Sequence, residues 1–287
     1  MRSSNPVFSR SDGFNGRTGS ASGMTYPGAQ ATAQPQYVGT QRAPHAPTCY
    51  APPSSNPMTI DSVVQKTAMT LGVVVVFAIG TWILTGPIDS DSAVSTLYLL
   101  TMVGSLGGFA LAMVNSFKKV VSPPLVLAYA ALQGIFVGAF SKVIEAQFGS
   151  TEQPGLVMGA VAGTFAAVAG TLAAYKFFNI RVTPKFRKFV VGALLGFVAL
   201  TLMDFVLSFF HADLGLNGFG GLGLLMSVVG LGLGVLMLIL DFDFVEQGIA
   251  AQLPESESWR AAFGLTVTIV WIYIELLRIL AILRGSD

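Results

Sequence analysis

The sequence predicts an all-α, polytopic membrane protein: a seven-transmembrane-helix bundle behind a disordered N-terminal tail. Three observations carry this reading. The 287 residues are 53% hydrophobic and only 11% charged, whereas a soluble domain carries about 25% charged residues. Uncharged runs of membrane-spanning length recur seven times. The first 57 residues differ in composition from everything that follows.

Residues 1–57 are rich in Ser, Gly, Pro, Gln and Thr, as in "YPGAQATAQPQYVG" and "YAPPSSNP". Such a segment buries too little apolar surface to offset its conformational entropy, so it reads as a disordered tail. No short apolar core follows its first basic residue, which sets it apart from a signal peptide. The transmembrane domain then occupies 58–287 and opens on "MTIDSVVQK", with Thr59 as a helix N-cap and Asp61 in the first turn.

A hydrocarbon core of about 30 Å needs roughly 20 helical residues. Thr67–Ile88, Ser92–Phe117, Val120–Ser141 and Gln153–Tyr175 are the first four candidate spans. Phe189–Phe210 is the fifth, interrupted by Asp204, and Leu214–Leu240 is the sixth. Ala261–Leu283 is the seventh, interrupted by Glu275 and Arg278. Gly155, Gly159 and Gly163 are spaced four apart on one helical face where backbones approach closely. Gly230, Gly232 and Gly234 thin the middle of span six.

Basic residues orient the chain. Arg2, Arg10, Arg17, Arg42 and Lys66 precede or open span one; Lys118 and Lys119 follow span two. Lys176, Arg181, Lys185, Arg187 and Lys188 follow span four, while the first, third and fifth connections carry no Lys or Arg. The positive-inside rule then puts the N-terminus in the cytoplasm and, after seven crossings, the C-terminus outside the cell membrane. The sixth connection is acidic, but acids weigh little in that rule.

Several functions are excluded or disfavoured. A net charge of +1 gives no bulk electrostatic case for nucleic acid. Cys49 is the single cysteine, so there is no internal disulfide framework or thiolate metal cluster. His45 and His211 form no HExxH, so no metal site is expected. There is no GxGD, "GSLGG" at Gly104 lacks the order of a rhomboid nucleophile loop, and the last span has no lysine for a retinal Schiff base. With no P-loop either, the expectation is a protein that is not an enzyme and has no catalytic residues and no cofactor.

Ionisable groups inside a span cost roughly 2.5–3.5 kcal/mol at its centre and are functional candidates by default. By helical rise, Asp204 lies roughly 24 Å from Lys188, and Glu275 roughly 22 Å from Arg260. Both therefore fall toward the outer side. Arg278, three residues after Glu275, shares its face. Asp204, Glu275 and Arg278 are thus an outer polar cluster, or Arg278 is simply the counter-ion of Glu275. Asp241, Asp243 and Glu246 stand at the inner end of span six. Asp243 and Glu246 share a face. The two aspartates, two residues apart, face different directions, so at most one points into the bundle. Asp241 stands deeper; shielded from water, it is a candidate proton-responsive switch. The alternative is a helix end solvated by cytoplasmic water. Gln133 and Tyr129, one turn apart on span three, read as polar glue between helices.

The order of these parts resembles the Bax-inhibitor family, the transmembrane Bax-inhibitor-motif proteins with a bacterial, YccA-like branch. The residues carrying it are "SPPLVLAYAALQGIFVG" at Ser122–Gly138, "LDFDFVEQG" at Leu240–Gly248, and the "LLRIL" near the end of span seven. The match covers about Met58 to Leu283. The resemblance implies a bundle with a central last helix. It also implies a pH-dependent calcium leak in some members, and stress-response or membrane-protease control in others. The family's sensor is a pair of aspartates sharing a proton, because like charges at close range cannot both ionise cheaply. Asp241 matches the first; the second falls near Thr268, which does not ionise. Asp243 or Glu246 is then a candidate replacement partner. Arg278 matches the family's arginine, but its acidic partner on span two is missing, and the glutamate often found on span three is Gln133. The expected function is a pH-sensitive calcium or cation leak with an incomplete di-aspartate sensor. Its alternatives are a non-conducting regulator that binds other membrane proteins, and a small-solute transporter, for which no internal repeat is visible.

Overall fold

The computed structural model describes residues 56–88, 90–118, 121–149, 155–178, 182–210, 212 and 214–285. The disordered tail expected over 1–57 lies outside these residues except for Asn56 and Pro57. Among the described residues there are seven helices and no strand: α1 Ile60–Leu84, α2 Asp91–Phe117, α3 Pro123–Phe148, α4 Leu156–Phe177, α5 Pro184–Ser208, α6 Gly221–Ala250 and α7 Glu257–Gly285. All seven are long and apolar enough to cross a membrane. The chain is a multi-pass membrane protein whose surroundings are the lipid bilayer.

Local chemistry sets the helix ends. Thr59 caps α1, its hydroxyl accepting from Ser62 N at 3.1 Å while Thr59 N donates back to Ser62 Oγ at 3.1 Å. That reciprocal pair satisfies two otherwise orphaned N–H groups. Pro at the first helical positions starts α3 and α5. Several expected boundaries move, three of them outward by seven residues or more. α1 begins seven residues before Thr67, α3 runs past Ser141 to Phe148, and α6 runs past Leu240 to Ala250. Hydropathy marks where charge begins, but a helix persists until a breaker stops it, and none lies between Leu240 and Ala250. At its start, α6 is shortened from Leu214 to Gly221 because the glycine-rich residues 215–220 bend.

α7 is the centre of the bundle. It packs against α1, α3, α4 and α6, whereas α2 rests on α3 and α5 on α6. Glycine permits the closest approaches. A Cβ at Gly134 or Gly138 of α3 would lie 2.5 Å from the Val74 or Ala78 carbonyl of α1. Gly159 and Gly163 of α4 face Leu280 and Leu276 of α7, as the four-residue spacing suggests. In α6, Gly230 and Gly234 face Glu275 and Ile272 of α7, whereas Gly232 faces open space.

Contacts between helix ends alternate. At one end, called here the basic end, Lys66 of α1 pairs with Glu255 before α7 at 2.8 Å, and Arg187 of α5 reaches α6. At the opposite end Lys142 of α3 reaches the close of α1, and Arg278 of α7 reaches the residues before α6. The α6–α7 turn is a Schellman motif: Leu253 N donates to Gly248 O at 3.1 Å and Gln252 N to Ile249 O at 3.0 Å. Its left-handed position holds Gln252, at φ 53°, where glycine is usual. Asn56 and Pro57, assigned to the tail by composition, are part of this turn. Glu255 N donates to Asn56 O at 3.0 Å, Met58 N donates to Leu253 O at 2.7 Å, and Pro57 bridges Pro254.

Two outcomes are expected in thermal unfolding of detergent-solubilised protein. Gly138→Ala should destabilise by about 1–3 kcal/mol, since the added methyl meets backbone that cannot yield, while Gly232→Ala should stay within about 0.5 kcal/mol of wild type. Gln252→Gly should stabilise by up to about 1 kcal/mol by relieving the left-handed conformation.

Candidate functional site

Because α6 continues to Ala250, Asp241 sits inside a helix, nine residues or about 13 Å before its end. It is therefore not at a solvated helix terminus. Its residue is 3% exposed. Across the α6–α7 contact, Thr268 Oγ1 donates to Asp241 Oδ2 at 2.6 Å. The same hydroxyl lies 3.2 Å from Gly264 O, the ordinary i−4 acceptor of a helical threonine. Its single proton serves the carboxylate at the shorter distance. No ion pair to Asp241 is found among the described residues. Leu238, Phe244, Leu265 and Ile272, which flank the pair at helical spacing on α6 and α7, belong to one apolar cluster with Met58, Val63 and Ala261.

The other two acids diverge. Asp243 is also buried, on the α5 side, where Arg187 Nη2 donates to its Oδ2 at 2.8 Å and Gln247 Nε2 to the same oxygen at 2.6 Å. The expectation that at most one aspartate points into protein is thus corrected. Successive helical neighbours, α7 and α5, flank α6 on different sides and cover both. Glu246 is exposed and accepts from Tyr175 OH of α4 at 2.5 Å. Neither Asp243 nor Glu246 meets Thr268; each has its own donor on another helix.

At the opposite end, the expected cluster of Asp204, Glu275 and Arg278 is joined indirectly. Arg278 Nη1 lies 3.5 Å from Glu275 Oε2, and Trp271 Nε1 donates to Glu275 Oε1 at 3.1 Å. Gly230 leaves the space that the Glu275 carboxylate occupies. Asp204 instead accepts from Leu214 N at 2.7 Å and Asn217 N at 2.9 Å, and Arg278 Nη2 approaches Leu216 O and Gly218 O at 3.4 Å. An acid and a base thus hold the N–H and C=O groups of residues 214–218 from two sides.

Tyr129 packs edge-on against Phe263 of α7, ring centroids 5.0 Å apart. Gln133 is half-buried and its Oε1 approaches Gly108 of α2. Both lie at helix contacts.

Four polar features were missed, two of them, at Lys142 and Glu145, by ending span three at Ser141. Lys142, buried in the last turns of α3, donates to Trp82 O at 3.0 Å, Thr85 Oγ1 at 2.8 Å and Gly86 O. Glu145 accepts from Val157 N at 2.9 Å. Ser141 Oγ and Tyr273 OH are 2.6 Å apart in the α3–α7 contact. The signal was present: nothing after Ser141 breaks a helix before Gly149. A fourth feature, the fully buried Arg260 paired with Glu257 at 2.9 Å, had no sequence signal beyond the i,i+3 spacing.

Fold and site together define a class: a seven-span bundle wound around its last helix, with an acid buried against that helix near the basic end. The Bax inhibitor 1 like family profile matches residues 5–285. The chain belongs to that family. The match begins well before Met58 and so includes most of the N-terminal tail, further than the quoted motifs reach. No curated protein matches the sequence.

Thr268→Val should leave the Asp241 carboxyl buried without its donor and cost about 1–3 kcal/mol in thermal unfolding. Thr268→Ser, which keeps the hydroxyl, should recover most of that loss.

Proposed function

We propose that the protein is a pH-sensitive cation leak, with calcium as the ion carried, in which Asp241 is the responsive acid. One observation carries this reading: a carboxyl group buried at the central helix, hydrogen-bonded to a neutral hydroxyl and without an ion pair among the described residues. An ionised carboxylate only accepts hydrogen bonds, whereas the protonated acid also donates. The Thr268 hydroxyl does both, so it partners either state. In a di-aspartate pair the second carboxyl competes for the proton; with threonine there, the protonation of Asp241 is a single-site event. Calcium needs six to eight oxygen ligands in a resident site. Among the described residues no group of three or more His, Cys, Asp or Glu side chains is placed to hold a metal. Calcium enters this proposal as cargo. No reaction and no cofactor is invoked.

The proposed setting is the cell membrane with the basic end cytoplasmic, the N-terminus inside and the C-terminus outside. Lys66, Lys118, Lys176, Lys185, Arg187 and Lys188 at that end support it through the positive-inside rule.

A second reading, a non-conducting regulator of other membrane proteins in stress response or protease control, has support from α5. Gly192 and Gly196, four apart, have open space where a Cβ would stand, and α5 packs on α6 alone among the described helices. Such a face suits another membrane helix.

The two readings separate in liposomes loaded with calcium- and proton-reporting dyes. The leak reading expects flux above empty vesicles that varies across pH, and a flattened pH profile for Asp241→Asn. Equal flux from wild type, variant and empty vesicles would sink it. A cross-linked partner lost in Gly192→Leu, with no flux, would then favour the regulator.

A further inference from the structure

The Asp241–Thr268 pair is closed off along the bundle axis by two apolar layers. Leu238 stands three residues before Asp241 and Phe244 three after it; Leu265 stands three before Thr268 and Ile272 four after it. All four therefore lie on the helix faces that carry the pair. Leu238 and Ile272 cover it toward the opposite end. Phe244 and Leu265, with Ala261 one turn further, cover it toward the basic end. On the basic side of these residues stands Met58, which belongs to the same cluster and comes from neither α6 nor α7. Met58 is 1% exposed. Its Sδ sits above Gly248, 3.1 Å from where a Cβ there would be, in the last turns of α6.

Residues 56–58 precede the Thr59 cap and belong to no helix; two backbone hydrogen bonds, Met58 N to Leu253 O and Glu255 N to Asn56 O, and the Pro57–Pro254 bridge tie them to the α6–α7 turn. The remaining walls of the pair are full-length helices. A short non-helical segment opens at lower free energy than a packed helix, and an unbranched methionine withdraws more easily than a branched side chain.

We propose that Asn56–Met58 is a lid over the basic-end approach to Asp241, with the Met58 side chain as its plug, and that lifting it admits water to the acid. The proposal goes beyond ion conduction. It concerns access to the pair and stands or falls whether or not the protein leaks cations.

The test uses the full-length chain in membranes, with Cys49→Ser and Thr268→Cys, and the rate at which a charged, water-soluble methanethiosulfonate modifies residue 268. With Met58 present, modification should be slow. Met58→Ala should speed it by about tenfold or more, because the closed layer loses its filling, and Met58→Leu should stay near the slow rate. A folded Met58→Ala protein modified at the slow rate would overturn the proposal. Hydrogen exchange of the otherwise unchanged protein decides the matter if Met58→Ala fails to fold. The Met58 and Glu255 amides should then open together, at the rate that limits modification of residue 268. Modification proceeding while both amides stay as protected as the interior of α6 would refute the lid.

Discussion

A helix surrounded by other helices meets little lipid, and α7 is in that position, with α1, α3, α4 and α6 around it. This enclosure governs where the polar side chains of the bundle are found. Glu275, Thr268, Tyr273 and Arg260 all lie on α7, and each finds its partner in protein: Trp271 and Arg278, Asp241, Ser141, and Glu257. In hydrocarbon an unpartnered polar group costs several kcal/mol, so such groups collect where neighbouring helices supply donors and acceptors. The glycines facing α7 from α4 and α6 serve the same end, because they bring backbones close enough for short side chains to meet.

The ends of the helices obey the same rule. The last carbonyls and first amides of a helix have no partner within it. At the close of α1 the Lys142 ammonium takes up the carbonyls of Trp82 and Gly86, and at the start of α4 the Glu145 carboxylate takes up the Val157 amide. Each charge also opposes the helix dipole with the favourable sign. One turn of α3 thereby closes two neighbouring helices. Asp204 and Arg278 do the equivalent for the segment that leads into α6. Charged residues within apparent spans are thus divided in role. Lys142, Glu145, Asp204 and Arg278 complete backbone hydrogen bonding; Glu275 bonds side chains beside the Arg278 charge, and Asp241 bonds a neutral side chain with no ion pair among the described residues.

That distinction gives Asp241 its interest. Its neighbours Asp243 and Glu246 are engaged with α5 and α4, so neither comes to Thr268. The Thr268 hydroxyl joins α6 to α7 at Asp241 without bringing a second charge to it.

Much of this was legible in the linear chain. Seven apolar runs, their order, the alternation of basic connections and the Thr59 cap are local properties, and period and composition report them directly. Asp241 and Thr268 were brought together from motif order, and the structure places them 2.6 Å apart. The helix ends at Phe148 and Ala250 were misplaced because charge was taken for termination, and this hid Lys142, Glu145 and the depth of Asp241. Other features had no local signature. Whether Gly232 or Gly234 faces a neighbour depends on how α6 is rotated against α7, which glycine spacing alone leaves open. Arg187 was visible as a loop cation, yet its bond to Asp243 depends on α5 lying beside α6. Asn56 and Pro57 look like the end of a polar tail until the α6–α7 turn folds beneath them. Composition describes each residue's preference for water or lipid, while partners and access arise from which helices meet, and that is set by packing of the whole bundle.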